Sequence, residues 1–437
     1  MARRLGIFSR LALVAQWIEQ WFPKPCAEVR FFSGAQPTDR NQLTTITKNR
    51  AASLWFAGVF ILFAARGILM ATWSNQGPAI KSSLQLDVAS MGLYQMVISL
   101  ASFAGVLIAG RLLHKLGSRL ISLITYSLMA LSLIGLGGAV AIQSVELAII
   151  FTAIIGAPFG IADYANNFEA GEIDRSSTRN RVPMLHFGYS AAVLVGGLLS
   201  SLFITLNISV SQNFALVGII VAITAIVASL MIPKNSGKQS HEAEDTVKIS
   251  VRDILRESRH IKITAIAFAF VVSEASGMLW IPITLTGDGM NGAEAALAFT
   301  VFAFSITVMR LLGGRIADKL GRQNVVRYLA LIAVAGIVIF MATPILHMPF
   351  VGIAIWGIGN SFGISMTVAA MSDSPKGAHA KQTLLWTVVY LANITVGPVL
   401  GFLSSLAGNY MSFVFPIATL FMALAFSASV KTKTESL

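Results

Sequence analysis

Two short basic stretches decide the architecture of this chain: Gly110-Arg-Leu-Leu-His-Lys-Leu-Gly-Ser-Arg119 and Gly314-Arg-Ile-Ala-Asp-Lys-Leu-Gly-Arg-Gln323. They share Gly, Arg, Lys, Leu and Gly at equivalent positions, and 204 residues separate Gly110 from Gly314. A repeat with so long a period indicates two similar halves. Their glycines permit a tight turn, and their basic residues favour a loop on the cytoplasmic side of a membrane.

The composition around these stretches is that of a protein embedded in a membrane. Of the 437 residues, 55% are hydrophobic and 12% are charged, whereas soluble domains carry about 25% charged residues. This excludes a soluble enzyme, a disordered chain and a collagen-like fibre. The single cysteine, Cys26, excludes a disulfide scaffold. The net charge of +12 does not indicate a nucleic-acid partner, because the basic residues are not clustered on a soluble surface.

Twelve apolar stretches are each long enough to cross a hydrocarbon core, which takes roughly 20 helical residues. They are continuous and twice as long as the alternating strands of a membrane barrel, so we predict an all-α membrane protein. The predicted spans are residues 52–74, 88–112, 119–141, 146–168, 182–206, 210–232, 262–286, 292–313, 323–345, 349–371, 380–406 and 410–430.

The positions of lysine and arginine predict the orientation. With the N-terminus inside, 29 of the 32 lie in interior segments, Lys81 lies in an exterior loop, and Arg66 and Arg310 lie within spans. Such a bias predicts that both termini are cytoplasmic.

The spans divide into two groups of six. We predict an N-terminal extension (1–50), a first six-helix bundle (51–232), a cytoplasmic linker (233–261), a second bundle (262–430) and a short basic tail (431–437). Within the linker, Ser250-Val-Arg-Asp253 predicts the start of a short helix on the inner membrane surface, and a solvated turn is the alternative.

Residues 1–50 do not fit this pattern. Residues 11–22 are too short to span and carry Glu19, and no signal-peptidase site follows. One interpretation is an amphipathic helix in the membrane plane. The interpretation that we favour is a start codon assigned too early, because residues 14–32 resemble conceptual translations through a transfer-RNA gene. The native chain is then expected to begin near residue 43–52.

The repeated stretch resembles the interior-loop pattern of the major facilitator superfamily, Gly-x-Leu-Ala-Asp-(Arg/Lys)-x-Gly-Arg. Residues 71–80, 163–167, 183–186 and 280–282 are similar to uncharacterised bacterial inner-membrane members, which are distantly similar to the proton-coupled fucose permease. The resemblance covers the chain from about residue 50. It implies two pseudo-symmetric six-helix bundles that rock about a central site in a bacterial inner (plasma) membrane. We expect a monomer without a cofactor or metal.

The resemblance also implies a conformational latch. In the family, the loop acid contacts a helix N-terminus of the opposite bundle. Asp318 can do so at the start of span 5, near Pro183, whereas His114 replaces the acid of the first loop, so we expect unequal latches. The alternative is that both loops serve only as charged turns and do not latch either conformation. The candidate latch residues are Gly110, Arg111, His114, Gly117, Gly314, Arg315, Asp318, Gly321 and Arg322.

Ionisable side chains within spans are costly and mark functional sites by default. Arg66 and Glu274 are predicted at similar depths in spans 1 and 7, so we expect them to pair across the cavity and to gate or orient the substrate. Asp163 and His186 are predicted at one level towards the cytoplasm, where a carboxylate and an imidazole form a proton relay. The alternatives are a structural hydrogen bond for Asp163 and a packed histidine for His186.

Two sets of candidate site residues follow. Proton coupling is assigned to Asp163, His186 and Glu274. Sugar-type solutes need aromatic rings and side-chain amides, although a tryptophan such as Trp280 also fits a membrane interface. The candidate substrate-binding residues are Arg66, Asn75, Gln76, Asn167, Glu274, Trp280 and Asn360.

The predicted function is secondary active transport of a small polar solute by alternating access, with the proton as the coupling ion in symport. A proton-driven exporter of amphiphilic compounds is disfavoured. Exporters of this superfamily tend to carry a Gly-Pro-rich motif in span 5, whereas span 5 of this chain has Gly196-Gly197 without a proline. A non-transporting membrane sensor should lack ionisable residues in its spans. An enzyme is not predicted, because the sequence contains no zinc, nucleophile-elbow or phosphate-loop motif.

Overall fold

The computed structural model describes residues 39–177, 181–238, 256–373 and 378–431, with side chains from residue 51 onward except at 378–379. The described residues form helices and turns without a strand, and twelve helices are long and apolar enough to cross a membrane. The predicted all-α fold is therefore confirmed. The predicted linker helix and most of the N-terminal extension lie outside the described residues.

We number the spans 1 to 12 and call spans 1–6 the first half and spans 7–12 the second half. The first half comprises Asp39–Ser83, Val88–Leu116, Ser118–Ala141, Val145–Arg175, Val182–Thr205 and Val210–Met231. The second half comprises Ser258–Gly287, Gly292–Leu320, Arg322–Met341, Pro349–Met371, Ala378–Ala407 and Tyr410–Val430. A short helix, Thr343–Leu346, precedes span 10, and 3-10 turns flank the α-helix Val414–Phe426 of span 12.

Local sequence signals place the helix ends. The side chains of Asp87, Ser144 and Ser209 accept a hydrogen bond from the backbone of the third residue that follows, at the starts of spans 2, 4 and 6. Such caps satisfy amide groups that a helix leaves free. Gly117 and Gly321, the second glycines of the repeat, separate spans 2 and 3 and spans 8 and 9 with φ of +81° and +72°. These angles are easily adopted only by glycine.

Span 10 differs from its predicted form. Its outer bounds are as predicted, but the helix is interrupted between Gly359 and Gly363. Non-helical backbone at membrane depth is tolerated only where protein buries it or where it lines a cavity.

Contacts between helix ends define two ends of the molecule. At one end, Arg119 donates hydrogen bonds to the carbonyl oxygens of Ile232 and Leu230, and Arg259 donates to the carbonyl oxygen of Ser429. We call this the linker end, because the segment after span 6 lies there. The opposite end carries the turns between spans 1 and 2, 3 and 4, 5 and 6, 7 and 8, 9 and 10, and 11 and 12.

The two halves approach backbone to backbone at the opposite end. Spans 2 and 11 cross there, and a Cβ atom added to Gly92 would collide with the carbonyl oxygen of Gly397. In spans 5 and 8, Ser201 Oγ donates a 2.9 Å hydrogen bond to the carbonyl oxygen of Ala293. The described conformation is therefore closed at the opposite end.

Candidate substrate and proton site

An ion pair lies inside the first half. Arg66 Nη1 of span 1 is 2.5 Å from Asp163 Oδ1 of span 4, and these side chains are 14% and 23% exposed. The guanidinium also lies over the rings of Phe159 and Tyr189, at 4.5 and 5.4 Å from their centroids. Ring faces carry partial negative charge and attract a cation. Arg66 is therefore held at membrane depth by one carboxylate and two aromatic faces.

The Asp163 carboxylate is shared by three donors. Besides Arg66, Asn167 Nδ2 donates to Oδ1 at 2.9 Å, and the Tyr390 hydroxyl donates to Oδ2 at 3.2 Å. Tyr390 belongs to span 11, so this carboxylate joins the two halves. The sequence analysis missed Tyr390, because a tyrosine within an apolar span carries no signal of its partner.

The predicted relay between Asp163 and His186 is not assembled as a hydrogen bond among the described residues. The His186 ring packs edge-on against Phe63, with 5.1 Å between centroids, and the side chain is exposed. A role for His186 in proton coupling stays a prediction.

The predicted pairing of Arg66 with Glu274 is wrong. Arg310 Nη2 of span 8 contacts both Glu274 oxygens, at 2.8 and 3.1 Å, so each half contains its own ion pair. The prediction rested on depth along the membrane normal, which does not determine how each helix is rotated. Spans 7 and 8 are packed neighbours, and Arg310 reaches Glu274 without crossing between the halves.

The break in span 10 lies against this second ion pair. Arg310 Nε donates to the carbonyl oxygen of Ser361 at 2.6 Å, so the arginine binds a backbone group at the interruption. Asn360 Nδ2 donates to the carbonyl oxygen of Phe270 at 3.3 Å and approaches Glu274 Oε2 at 3.5 Å. Asn360 Oδ1 has no hydrogen-bond partner within the described ranges. The candidate Asn360 therefore lies beside Glu274, as a substrate site requires.

The Glu274 side chain is 19% exposed rather than packed within the helix core. Among residues 269–285 of span 7, it is the one side chain that is not buried. Trp356 Nε1 donates to Ser273 Oγ at 2.8 Å and fastens spans 10 and 7 beside it. A partly exposed carboxylate therefore lies beside the contact between spans 7 and 10.

The candidates Asn75, Gln76 and Trp280 lie apart from the ion pairs, towards the opposite end. They are 3%, 2% and 0% exposed, and each has a buried polar atom without a partner in the described part of the chain. Asn75 Nδ2 donates to the carbonyl oxygen of Ala71 in its own helix. The structure thus divides the predicted substrate site into a central group and a group at the opposite end.

The candidate latch residues lie at the linker end. His114 and Asp318 are exposed, as are Arg111 and Arg315, and no hydrogen bond between Asp318 and span 5 is present among residues 181–238 and 256–373. The latch stays a prediction for a conformation closed at the linker end.

Arg322 has a different partner from the one that a latch implies. It binds Asp373 Oδ1 at 2.5 Å, and Arg259 binds Asp373 Oδ2 at 2.7 Å. Burial opposes ionisation of Asp373, but hydrogen bonds from Arg322 and Arg259 outweigh it and hold the pKa of this carboxyl below its ordinary value. This cluster joins spans 7 and 9 to the end of span 10 within the second half.

Comparison with known proteins identifies the family that this arrangement resembles. The model of the Major Facilitator Superfamily matches residues 183–398. An uncharacterized MFS-type transporter of Yersinia pestis is 27% identical over 379 residues, which cover 85% of this chain and 94% of that protein.

Solved structures share the fold at low identity. The nucleoside transporter NupG has a TM-score of 0.69 and 15% identity, covering 87% of this chain and 100% of that chain. A bacterial homolog of the human lysosomal transporter Spinster, inward-facing and unoccupied, has a TM-score of 0.70 and 14% identity, covering 88% and 98%. FucP in the outward conformation has a TM-score of 0.59 and 16% identity, covering 86% and 98%.

The family match, the relative and the shared fold agree with the duplicated twelve-span architecture. Members of this family carry small-molecule solutes across membranes. The chain is a multi-pass membrane protein that resembles the secondary transporters of the major facilitator superfamily in sequence and in fold.

Proposed function

We propose that this protein is a proton-coupled symporter of a neutral polar solute in a bacterial inner membrane. The linker end faces the cytoplasm, and the bundles of residues 51–232 and 262–430 rock about the cavity between the two ion pairs. The higher TM-score with the inward-facing structure than with outward FucP supports this orientation, because the described conformation is closed at the opposite end.

The observation that carries the proposal is the position of Asp163. Its carboxylate pairs with Arg66 and accepts a hydrogen bond from Tyr390 of the other half. A proton on the Asp163 carboxyl removes the negative charge that pairs with Arg66. It also makes the carboxyl a weaker hydrogen-bond acceptor for Tyr390. Proton occupancy of one group therefore alters both the solute cavity and the contact between the halves, which is what coupling requires.

The two ion pairs also favour a neutral solute. Arg66 with Asp163 and Arg310 with Glu274 each sum to zero charge. A charged solute would need an uncompensated charge in the cavity, because burying an unpaired ion is costly. Asn167 and Asn360 supply amide groups, and Phe159 and Tyr189 supply rings. The nucleoside transporter NupG belongs to the same fold and makes hydroxylated ring solutes reasonable probes.

The experiment is transport of uridine and L-fucose by purified protein in liposomes, with Asp163→Asn as the variant. We expect the unsubstituted chain to accumulate a probe under an inward proton gradient. Asp163→Asn should lose this accumulation and retain solute exchange across the membrane, because exchange needs no net proton movement.

The matched control is Asp288→Asn. Asp288 is also a carboxylate that accepts from a tyrosine, Tyr410, but it lies in the turn after span 7. The control should accumulate solute like the unsubstituted chain. Unchanged accumulation in Asp163→Asn contradicts this assignment of the proton site, and the absence of transport of either probe contradicts the solute class.

A further inference from the structure

A cavity of about 460 Å³ lies at the linker end of the second half, between the start of span 9 and the end of span 12. We call it the basic pocket, because two of its lining residues are cationic and none is acidic. The residues that line it are Leu320, Gly321, Gln323, Asn324, Arg327 and Lys431. Neither of the two central ion pairs contributes a residue to it.

The position of Arg327 is fixed, but its charge is not neutralised. Its Nε donates a 2.9 Å hydrogen bond to Ser427 Oγ of span 12. In the amide orientation that satisfies both groups, the Gln323 side-chain oxygen accepts from Arg327 Nη2 at 2.7 Å. Both acceptors are uncharged. Within the described ranges, neither Arg327 nor Lys431 forms an ion pair with a carboxylate. The pocket therefore holds two cations whose charge is available to an anion.

Arg327 lies at the start of the exposed face of span 9. Tyr328, Leu331, Ala335 and Val338 follow at intervals of three or four residues, and all four are exposed. Residues at this spacing share one face of a helix. In a helix that spans a membrane, an exposed apolar face contacts lipid, and a tyrosine such as Tyr328 is typical of the interface. The charge of Arg327 is thus continuous with a lipid-facing surface.

The depth of Arg327 agrees with this position. It comes six residues after Gly321, the glycine between spans 8 and 9, which is roughly 9 Å along a helix axis. The interfacial region on each side of the hydrocarbon core is of similar thickness, about 5–8 Å. The guanidinium therefore lies near the level of lipid headgroups.

The first half differs at the equivalent place. Leu123 stands 204 residues before Arg327, so the cation is absent there. The segment after span 6 covers the start of span 3, where the backbone amide of Ser118 donates to the carbonyl oxygen of Ser236 at 2.8 Å. The basic pocket is therefore a feature of the second half and does not follow from the duplicated fold alone.

We propose that the basic pocket binds the headgroup of an anionic phospholipid, with an acyl chain along the exposed face of span 9. Guanidinium and ammonium groups form strong hydrogen bonds with phosphate oxygens, and basic pockets between helices at a membrane surface suit anionic headgroups. The side chains of residues 432–437 include one lysine and one glutamate, which sum to zero charge, so charge complementarity favours the lipid over that segment. The inference requires that the chain spans a membrane, and it does not require transport.

The test is thermal unfolding of the purified full chain in detergent. The probe is dioleoyl-phosphatidylglycerol, and the reference is phosphatidylcholine with the same acyl chains, which is zwitterionic. We expect phosphatidylglycerol to raise the melting temperature by about 3 °C or more relative to phosphatidylcholine, as binding to the folded state requires. Inorganic phosphate at the same concentration should not raise it, because phosphate lacks the acyl chain that contacts span 9.

The decisive variant is the double substitution Arg327→Gln with Lys431→Gln. The dissociation constant for phosphatidylglycerol, measured by titration, should rise about tenfold or more, because each cation near a membrane surface attracts anionic lipid. The shift in melting temperature should shrink accordingly. Since the lipid-dependent shift is measured within each variant, a lower starting stability of the variant does not imitate the loss of the site.

The matched control is Lys234→Gln with Lys262→Gln. Both lysines are exposed at the linker end, neither lines the basic pocket, and their loss lowers the net charge by the same two units. The control should keep the dissociation constant within about twofold, because distant exposed charges are screened by salt.

Three results would overturn the inference. Equal loss of affinity in the two double variants would show only a general attraction between anionic lipid and a chain of net charge +12. Equal stabilisation by phosphatidylcholine or by inorganic phosphate would exclude an anionic lipid as the specific occupant. A dissociation constant that falls about tenfold or more when residues 432–437 are deleted would identify that segment as the occupant.

Discussion

Glu169 and Asp373 occupy equivalent positions in the two halves but bind different partners. Asp373 follows Glu169 by 204 residues, the interval that separates the two copies of the repeat, and Arg259 follows Trp55 by the same interval. In the first half, Glu169 accepts from Trp55 Nε1 at 2.6 Å and from Ser236 Oγ. In the second half, Asp373 accepts from Arg259 and Arg322. Both halves thus carry a carboxylate at the same position, but its donors are uncharged in the first half and charged in the second.

The same contrast holds at the central site. In the first half, the carboxylate of Asp163 accepts a hydrogen bond from Tyr390 of the other half. In the second half, Glu274 and Arg310 are fastened to the break in span 10 of their own half. Two bundles with one backbone plan thus differ at the central site, with proton coupling proposed for the first half and solute contacts proposed for both.

Glu274→Gln should have the largest effect on the folded protein. Arg310 would lose its carboxylate while remaining partly buried. We expect a loss of about 2–3 kcal/mol in unfolding free energy, less than the roughly 3–5 kcal/mol of a fully buried pair, because this pair is partly exposed. Solute exchange should fall about tenfold or more, since we propose that the solute binds beside Glu274 and Asn360. Thermal unfolding in detergent and exchange in liposomes measure both.

The control for this prediction is the double variant Glu274→Gln with Arg310→Gln. It should recover stability relative to the single variant, because no unpaired charge remains. Equal stability of the single variant and the unsubstituted chain would show that the Arg310–Glu274 ion pair does not contribute to the unfolding free energy.

Gly397→Ala tests whether the halves separate as units at the opposite end. The added methyl group would meet the Gly92 carbonyl oxygen of the other half, and overpacking of this kind costs about 1–3 kcal/mol. The closed conformation should become less populated. A cysteine that replaces Ile283, a buried residue beside Gly77 of the other half, in a Cys26→Ser background should then react at least several times faster with a membrane-impermeant maleimide added at the opposite end. Gly138→Ala is the control, because nothing lies within 4 Å of its added Cβ atom. Equal alkylation rates in the two variants would contradict closure by this crossing.

Tyr390→Phe should produce a smaller change. It removes one hydrogen bond between the halves, and such a bond contributes about 1 kcal/mol. We expect unchanged solute affinity and a weaker response of accumulation to the proton gradient. Tyr410→Phe removes a tyrosine–carboxylate bond within the second half and should leave coupling intact. Full coupling in Tyr390→Phe would exclude the cross-half bond from the mechanism.

The smallest effect is expected at the linker end. Since the folded-state pKa of Asp373 is lowered, its contribution is present above the ordinary pKa of 3.8 and is lost as the pH falls through the folded value. Asp373→Asn should therefore lower the unfolding free energy at pH 7 by about 1 kcal/mol or less, seen as a lower melting temperature, and should have no effect at strongly acidic pH.

Salt distinguishes the two carboxylates. The effect of Asp373→Asn should shrink at high salt, because ion pairs near the surface are screened. The effect of Glu169→Gln should not, because its donors are uncharged. Equal salt dependence of the two variants would contradict the contrast between the halves.

The sequence predicted the fold well, because span length, hydropathy and the repeat are properties of the chain itself. It predicted that Arg66, Asp163 and Glu274 lie at membrane depth for the same reason. It did not predict their partners, since the rotation of a helix about its axis depends on packing with every neighbour. The sequence analysis also missed the break after Gly359, because Asn360 and Ser361 are both compatible with a continuous helix. The interruption lies where Arg310 binds the carbonyl oxygen of Ser361 and Asn360 donates to the carbonyl oxygen of Phe270.

Proton movement during solute uptake tests the central claim most directly. Liposomes containing the protein, in weak buffer without an imposed gradient, should show alkalinisation of the external medium when uridine or L-fucose is added. The signal should be absent in Asp163→Asn and present in Asp288→Asn. Uptake of a probe by the unsubstituted chain without any accompanying proton movement would contradict the account.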